Sequence, residues 1–326
     1  MPVVSLTCTV TILFTKCTKI MTAVYIKEKG SFDNIVIEEI AKPVIAADEI
    51  LVKIKAAGVN PVDWKATMHG IFNPPHILGT DIAGIIEATG KDIKNYKPGD
   101  EIIGSLEWAK QSAFAEYVAT KEKYITYKPK NLSFAESAAV PLAALTAWQG
   151  LFDHGNLQAG QKVIIQAAAG GVGLFALQFA KWKGAYVVAT ASERNIDFLK
   201  SVGADEVIDY TKYKLTDKTK NADVVLDSVA TPEVQLESFK ALKPGGKYVS
   251  ITAGPREELL KGFDISATRF LFISNPEQLK QIVRLIEDGT VKVFVEKTFP
   301  LAEAKEALMH VHKGRTRGKV VLAPIP

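Results

Sequence analysis

Three glycines within four positions, Gly170, Gly171 and Gly173, follow the apolar run 163–165 and precede a helix-compatible segment, 174–183. A strand, a tight turn and a helix start, in that order, seat a dinucleotide pyrophosphate on the amides of a helix N-terminus. The fingerprint G-x-G-x-x-G falls on Ala168, Gly170 and Gly173, so its first glycine is an alanine. Gly170 lets the backbone approach the phosphates, with Gly171 and Val172 beside it, and Gly173 lets helix and strand pack closely. An ordinary strand-to-helix turn is the competing reading, because glycine-rich turns form for many reasons.

The next apolar stretch, 185–191, reads as the following strand. Its end lies about 20 residues past the glycines, where an acid would bind the adenosine ribose of NAD. The matching residue is Thr190, and Ser192 and Arg194 follow. A hydroxyl and a guanidinium suit a 2′-phosphate, by hydrogen bond and by charge, so the expected cofactor is NADP(H). Glu193 opposes this if it faces inward. The plain alternative for 192–194 is a solvated helix start with Ser192 as N-cap.

These residues need a scaffold, and the 326-residue chain has room for two domains with separate cores. Its net charge of +4 is not gathered into runs. It offers an anionic cofactor weak attraction and gives no sign of a nucleic-acid partner. The two cysteines, Cys8 and Cys17, lie near the start. The body of the chain therefore holds no disulfide framework or cysteine-rich metal site, which fits a reducing, cytoplasmic location. Residues 1–20 read as a dispensable extension, with an added edge strand as the other reading. They lack the basic leader of a secretory signal and the arginines of a mitochondrial one. No stretch is apolar enough to suggest a membrane partner.

Short strands and turns recur from 21 to about 140: 50–56, 84–90, a turn into a strand over 97–103 with Pro98-Gly99 as the turn, and 114–118. That spacing predicts a β-barrel-like unit. From about 144 to 268 strands and helices alternate: strand 162–167 then a helix from 172, strand 185–190 then a helix from 193, strands 206–208 and 223–226, a helix from 232, and strand 246–252. The fold class is therefore α/β, with a parallel sheet and crossover helices. An amphipathic helix over 276–288, a helix over 301–311 and a strand at 319–322 follow.

Several motifs in this order carry a resemblance: Ala57-Gly58-Val59-Asn60-Pro61-Val62-Asp63-Trp64-Lys65, Leu78-Gly79-Thr80-Asp81-Ile82-Ala83-Gly84, Pro98-Gly99-Asp100, Leu145-Thr146-Ala147-Trp148, the glycine turn, Gly203-Ala204-Asp205-Glu206-Val207-Ile208-Asp209-Tyr210 and Gly318-Lys319-Val320-Val321-Leu322. Residues 21–326 resemble the zinc-free quinone oxidoreductase (zeta-crystallin-like) branch of the medium-chain dehydrogenase/reductase superfamily. The resemblance implies a GroES-like barrel over 21–143 and 275–326 and a Rossmann NADP(H)-binding domain over 144–274. The catalytic zinc ligands of the superfamily match Asn60, Thr80 and approximately Leu142, none a good zinc donor. His69 and His76 lack a third ligand and read as surface or packing residues.

Hydride addition to a quinone or enone leaves charge on oxygen, which something must stabilise or protonate. The candidates are Asn60, Lys65 and ordered water. Asn60 matches a residue beside the nicotinamide ribose, against the plain reading of a turn residue before Pro61. Lys65 can place an ammonium over the developing oxyanion or be a solvated helix residue. Asp63 either orients Lys65 or caps the short helix. By resemblance, Thr146 lies near the nicotinamide and Tyr210 stacks on adenine, the alternative for Tyr210 being a strand-end aromatic. Ser228, Val229, Ala253 and Gly254 end later strands and face the crevice. Lys319 reaches toward the phosphates, with Arg317 as competitor and surface charge as the alternative for both.

The implied activity is NADPH-dependent, zinc-independent reduction of quinones or α,β-unsaturated carbonyls. An enoyl-thioester reductase is a second reading. An NADPH-binding sensor or structural protein with little turnover is a third, since fold does not fix function. The resemblance also implies a homodimer. The run Phe270-Leu271-Phe272-Ile273 would be its joining edge strand or, alternatively, buried core.

Overall fold

The computed structural model describes residues 19–70, 73–107 and 112–325. The reading of residues 1–20 as an extension or edge strand lies outside these, apart from its last two positions. Ile20 already opens the first strand.

The first unit is built on strands β1 (Ile20–Ile26), β2 (Ile35–Ala41), β3 (Ile50–Val59), β4 (His76–Ile77), β5 (Asp81–Thr89), β6 (Glu101–Ser105), β7 (Tyr117–Thr120) and β8 (Ile125–Tyr127). β1 pairs with β2 and β4. Within β3, Ile50, Val52 and Ile54 on one face are fully buried, whereas the alternating Lys53 and Lys55 are half-buried. Helix α1 (Pro61–His69) begins directly after β3. α2 (Phe134–Ala138) and α3 (Pro141–Trp148) lead out of this unit. α3 runs on into a π-helical turn, Gln149–His154.

The second unit is a six-stranded, wholly parallel sheet. Its strands are β9 (Lys162–Ile165), β10 (Tyr186–Ala191), β11 (Glu206–Asp209), β12 (Ala222–Asp227), β13 (Leu242–Ser250) and β14 (Ile265–Arg269). The order β11-β10-β9-β12-β13-β14 is the doubly wound 3-2-1-4-5-6 arrangement, whose switch point lies beside β9. Helices α4 (Gly171–Trp182), α5 (Ile196–Val202), α6 (Pro232–Ala241) and α7 (Glu257–Leu260) belong to this unit. The helix expected from 193 starts as a 3-10 turn, Glu193–Asn195, before α5.

The chain then passes through α8 (Pro276–Glu287), β15 (Val295–Phe299), α9 (Ala304–His312) and β16 (Lys319–Leu322). β16 pairs antiparallel with β3, with Val320 opposite Val59, and so completes the first unit's sheet. The α8 stripe Leu279, Ile282, Val283 and Ile286 is buried in a core shared by α3 and α4 and by Ala56, Ala83 and Ile103 of the first unit.

The expected edge strand at 270–273 is corrected. The end of the parallel sheet is β14, and 270–273 is irregular. Phe270 turns inward and stacks on His154, with ring centroids 4.3 Å apart, while Leu271 and Ile273 are 54% and 73% exposed. Gln149 takes the place of a neighbouring strand: its Oε1 accepts from the Ile273 N–H at 2.9 Å and its Nε2 donates to the Ile273 carbonyl at 2.7 Å. Among the described residues no helix is long and apolar enough to cross a membrane.

Candidate dinucleotide and acceptor site

A cleft of about 660 Å³ runs between the two units, lined by the 167–173 turn, the start of α1 and the segment before β16. Its floor is the turn after β9. Ala167 takes a left-handed conformation, φ +54°, uncommon for a residue with a side chain and a sign of an over-determined turn. Thr190 holds that turn: its hydroxyl accepts from the Ala167 N–H at 3.2 Å and donates to Gln166 Oε1 at 2.6 Å. Thr190 is thus buried beneath the turn, spent on structure.

Gly170 is the N-cap of the 12-residue helix α4 and supplies no capping side chain. The first amides of α4 therefore face the cleft with the positive end of the helix dipole and no side-chain acceptor. At the end of β12, the Ser228 hydroxyl also lines the cleft, buried and without a hydrogen-bond partner. A buried partnerless hydroxyl beside open helix amides suits a polar ligand. At the end of β13 it is Ile251 and Thr252 that line the cleft, whereas Ala253 is exposed. The predicted contact falls one residue late.

The residues expected around adenosine gather at the ends of β10 and β11. Ser192 occupies the N-cap position, but its side chain makes no capping bond. Glu193 pairs with Lys212 at 2.7 Å, so its charge is met by a neighbouring cation. Arg194 donates to the Arg315 carbonyl at 2.6 Å, which brings a second arginine backbone alongside; Arg315 carried no sequence signal of its own. Arg317 is committed elsewhere. It donates to Asn195 Oδ1 and the Arg194 carbonyl and lies 4.8 Å over the Phe198 ring. Tyr210 is 62% exposed at the end of β11, its N–H donating to the Ala191 carbonyl.

The opposite end of the cleft is built on a buried polar cluster. Asn60 Nδ2 donates to Asp81 Oδ2 at 2.9 Å and lies 3.4 Å from Thr80 Oγ1. The Leu142 N–H donates to Asp81 Oδ1 at 3.0 Å. Asn60, Thr80 and Leu142 thus converge, around a carboxylate to which the sequence reading assigned no role. The Lys319 ammonium donates to Asn60 Oδ1 and, at 3.1 Å, to the Val59 carbonyl. Its expected reach toward the phosphates is corrected: the charge is turned inward onto Asn60.

Asp63 does not orient Lys65. Its Oδ2 accepts from the Asn60 N–H at 2.8 Å, capping α1, and residues two apart on a helix do not share a face. Burial pushes the Asp63 carboxyl up to about 8 and the Asp81 carboxyl up to about 6, the latter opposed by Lys319 and Asn60. Burial lowers Lys319, opposed by Asp81 and Asp63. One carboxylate and one ammonium leave the cluster neutral, with Asp63 protonated near pH 7.

Both carboxyls are raised above their unfolded values, so their stabilising effect is complete in acid and is lost as pH rises through the folded values. Unfolding free energy is expected to decline from about pH 4, the unfolded carboxyl value, to about pH 8, and to level off above it. Asp63→Asn should flatten the upper part of that decline in urea titrations. Equal slopes in the two chains between about pH 6 and 8 would refute the protonated state of Asp63.

Lys65 is half-buried on the cleft wall, 5.7 Å from the Trp64 ring centre. Burial and then the charge of Arg269 lower its pKa. Arg269, from the end of β14, lines the same cleft and was missed because that strand was not anticipated. Thr146 lines it too, its hydroxyl on the Leu142 carbonyl at 2.7 Å. His69 lies 6.1 Å from Trp64, and His312 packs edge-on against the same ring at 4.6 Å. Among the described residues no three His, Cys, Asp or Glu side chains converge as a metal site.

Comparison with known proteins agrees with this architecture. A family described as an alcohol dehydrogenase GroES-like domain matches residues 46–130, and one described as a zinc-binding dehydrogenase matches residues 202–322. The 2-methylene-furan-3-one reductase of Solanum lycopersicum is 39% identical, over 91% of this chain and 77% of its own length. The chloroplastic NADPH-dependent alkenal/one oxidoreductase of Arabidopsis thaliana is 36% identical, over 94% and 81%. The solved quinone oxidoreductase of Coxiella burnetii superposes with a TM-score of 0.88 at 32% identity, covering 94% of this chain and 99% of that one.

Proposed function

Because the chain belongs to the quinone oxidoreductase branch of the medium-chain dehydrogenase/reductase superfamily, we propose that it reduces quinones or α,β-unsaturated carbonyls with NADPH and without zinc. The observation that carries this reading is one apolar cleft holding open helix amides, a partnerless hydroxyl and the Lys65 cation. The relatives named for alkenal/one and furanone reduction support it.

NADPH, when bound, supplies the hydride from C4 of its nicotinamide. The α4 amides and Ser228 would hold its polar groups, and Ser192 and Arg194 would take the 2′-phosphate. Lys65 and Arg269 place positive charge where an acceptor oxygen becomes negative, and Lys65 Nζ can also deliver a proton. The apolar wall from Trp64 to Phe270 excludes water and orients the acceptor. The residues at the superfamily's metal position do not fit zinc. They are a carboxamide, a hydroxyl and an aliphatic side chain, and the carboxamide oxygen already accepts from an ammonium.

The test is NADPH oxidation with phenanthrenequinone, a simple enone and a crotonyl thioester, with and without a chelator. Turnover of the first two, unaffected by the chelator, is expected. Activity confined to the thioester would make the chain an enoyl-thioester reductase. Binding without turnover would make it a sensor or structural protein.

Arg194→Ala should weaken NADPH binding about 10–100-fold, the worth of one or two charge-assisted hydrogen bonds, and leave NADH binding nearly unchanged. Equal losses, read by nicotinamide fluorescence, would remove the 2′-phosphate assignment. A homodimer through β14, the terminal strand of the parallel sheet, and a cytosolic location are further parts of the proposal. Sedimentation and cell fractionation test them; a micromolar monomer or an organellar protein would refute the respective part.

A further inference from the structure

Lys319 spans two parts of the cleft that arise from different units. Gly318 before it bridges to Gly170 and donates its N–H to the Ala169 carbonyl at 2.9 Å. The Lys319 stem lies against Gly171, where an added Cβ would stand 2.7 Å from its Cδ. The ammonium continues to the barrel side and ends on Val59 and Asn60. The residue is only 5% exposed. A side chain that is flexible and strongly hydrated in water has been drawn between a phosphate-type turn and a carboxamide.

The contacts also fix which way the carboxamide faces. Its oxygen meets an ammonium and its nitrogen meets the Asp81 carboxylate. The flipped amide would set N–H against ammonium and oxygen against carboxylate, so a single orientation is stable. One lone pair of Oδ1 then remains to accept from a ligand hydroxyl.

We propose that Lys319 is a positioning residue that fixes the Asn60 carboxamide at the nicotinamide end of the cleft and sets its distance from the glycine turn. The role rests on the NADPH-dependent reading above. Lys319 itself touches no reacting atom; it acts through Asn60 and through the turn.

Lys319→Met is tested for NADPH binding by nicotinamide fluorescence, for kcat and acceptor KM, and for the primary isotope effect with C4-deuterated NADPH. NADPH affinity is expected to fall about tenfold and kcat about a hundredfold, the cost of roughly 1 Å of misplacement. Acceptor KM should stay within about twofold, since this contact is not made to the acceptor, and the isotope effect should rise as hydride transfer becomes limiting. Thermal unfolding checks the fold. If Lys319→Met does not fold because Asp81 is left unpaired, Lys319→Met with Asp81→Asn is compared with Asp81→Asn alone, and the same differences are expected. Unchanged NADPH affinity and kcat in the folded variant would overturn the positioning role alone. A wild-type chain that neither binds nor oxidises NADPH would overturn the functional reading and this role with it.

Discussion

Asp81→Ala is expected to cost the fold about 3–5 kcal/mol, or to prevent folding, the effect of leaving a buried charge uncompensated. Asp81 is fully buried and accepts from Asn60 Nδ2 and the Leu142 N–H. Its carboxylate is also the charge that most opposes the effect of burial on Lys319, to which it is linked through Asn60. Alanine leaves the buried Lys319 charge uncompensated and takes from the Asn60 carboxamide its shortest acceptor and from the Leu142 N–H its acceptor. Asp81→Asn keeps an acceptor oxygen and should lose less. Urea unfolding at pH 7 measures both. Adding Lys319→Met to Asp81→Ala should recover part of the loss, since a cluster with neither charge is cheaper to bury than one with a single charge. A loss below about 1 kcal/mol for Asp81→Ala, the range of an ordinary neutral hydrogen bond, would show that the cluster is not electrostatically coupled.

Gly173→Ala should be the most damaging single methyl in the glycine turn. Its Cβ would stand 2.6 Å from the Ala167 oxygen, the Ala168 Cα and the Ala168 oxygen. All three are backbone atoms, so no rotamer change relieves the clash and α4 must withdraw from the end of β9. Overpacking of this kind costs about 1–3 kcal/mol. The displaced amides should weaken NADPH by about a hundredfold or more, about 3 kcal/mol of lost phosphate contacts. Gly170→Ala is the informative contrast. Its Cβ meets only the Ala167 oxygen, at 3.4 Å, so thermal stability should hardly change. The methyl would nevertheless occupy space the phosphates need, so NADPH binding should still fail. A Gly170→Ala chain that binds NADPH normally would remove the turn from the cofactor site.

The legible parts of the molecule are those whose cause is local. The strand-turn-helix at 162–182 was readable because β-prone residues, three glycines and a helical run are adjacent. The α8 stripe was readable because its apolar residues recur at helical spacing. β14 escaped because five residues of mixed character, Ile265 to Arg269, carry little pattern, while the more apolar 270–273 invited the strand assignment. Gln149, more than a hundred positions away in the chain, is what satisfies that segment's backbone.

By itself the sequence determined an α/β chain with a dinucleotide-type turn, poor zinc donors at 60, 80 and 142, and a hydroxyl and a guanidinium suited to a 2′-phosphate. Tertiary structure decided where the charges go. Lys319 and Asn60 are 259 positions apart, and no local pattern joins them. The antiparallel register that sets Val320 on Val59 carries Lys319 to Asn60, and β5 beginning at Asp81 beside β3 supplies the carboxylate. Local propensity acts over a few residues, whereas pairing strands from the two ends of the chain is what buries these charges together. That pairing turned a lysine expected at the phosphates into the support beneath Asn60.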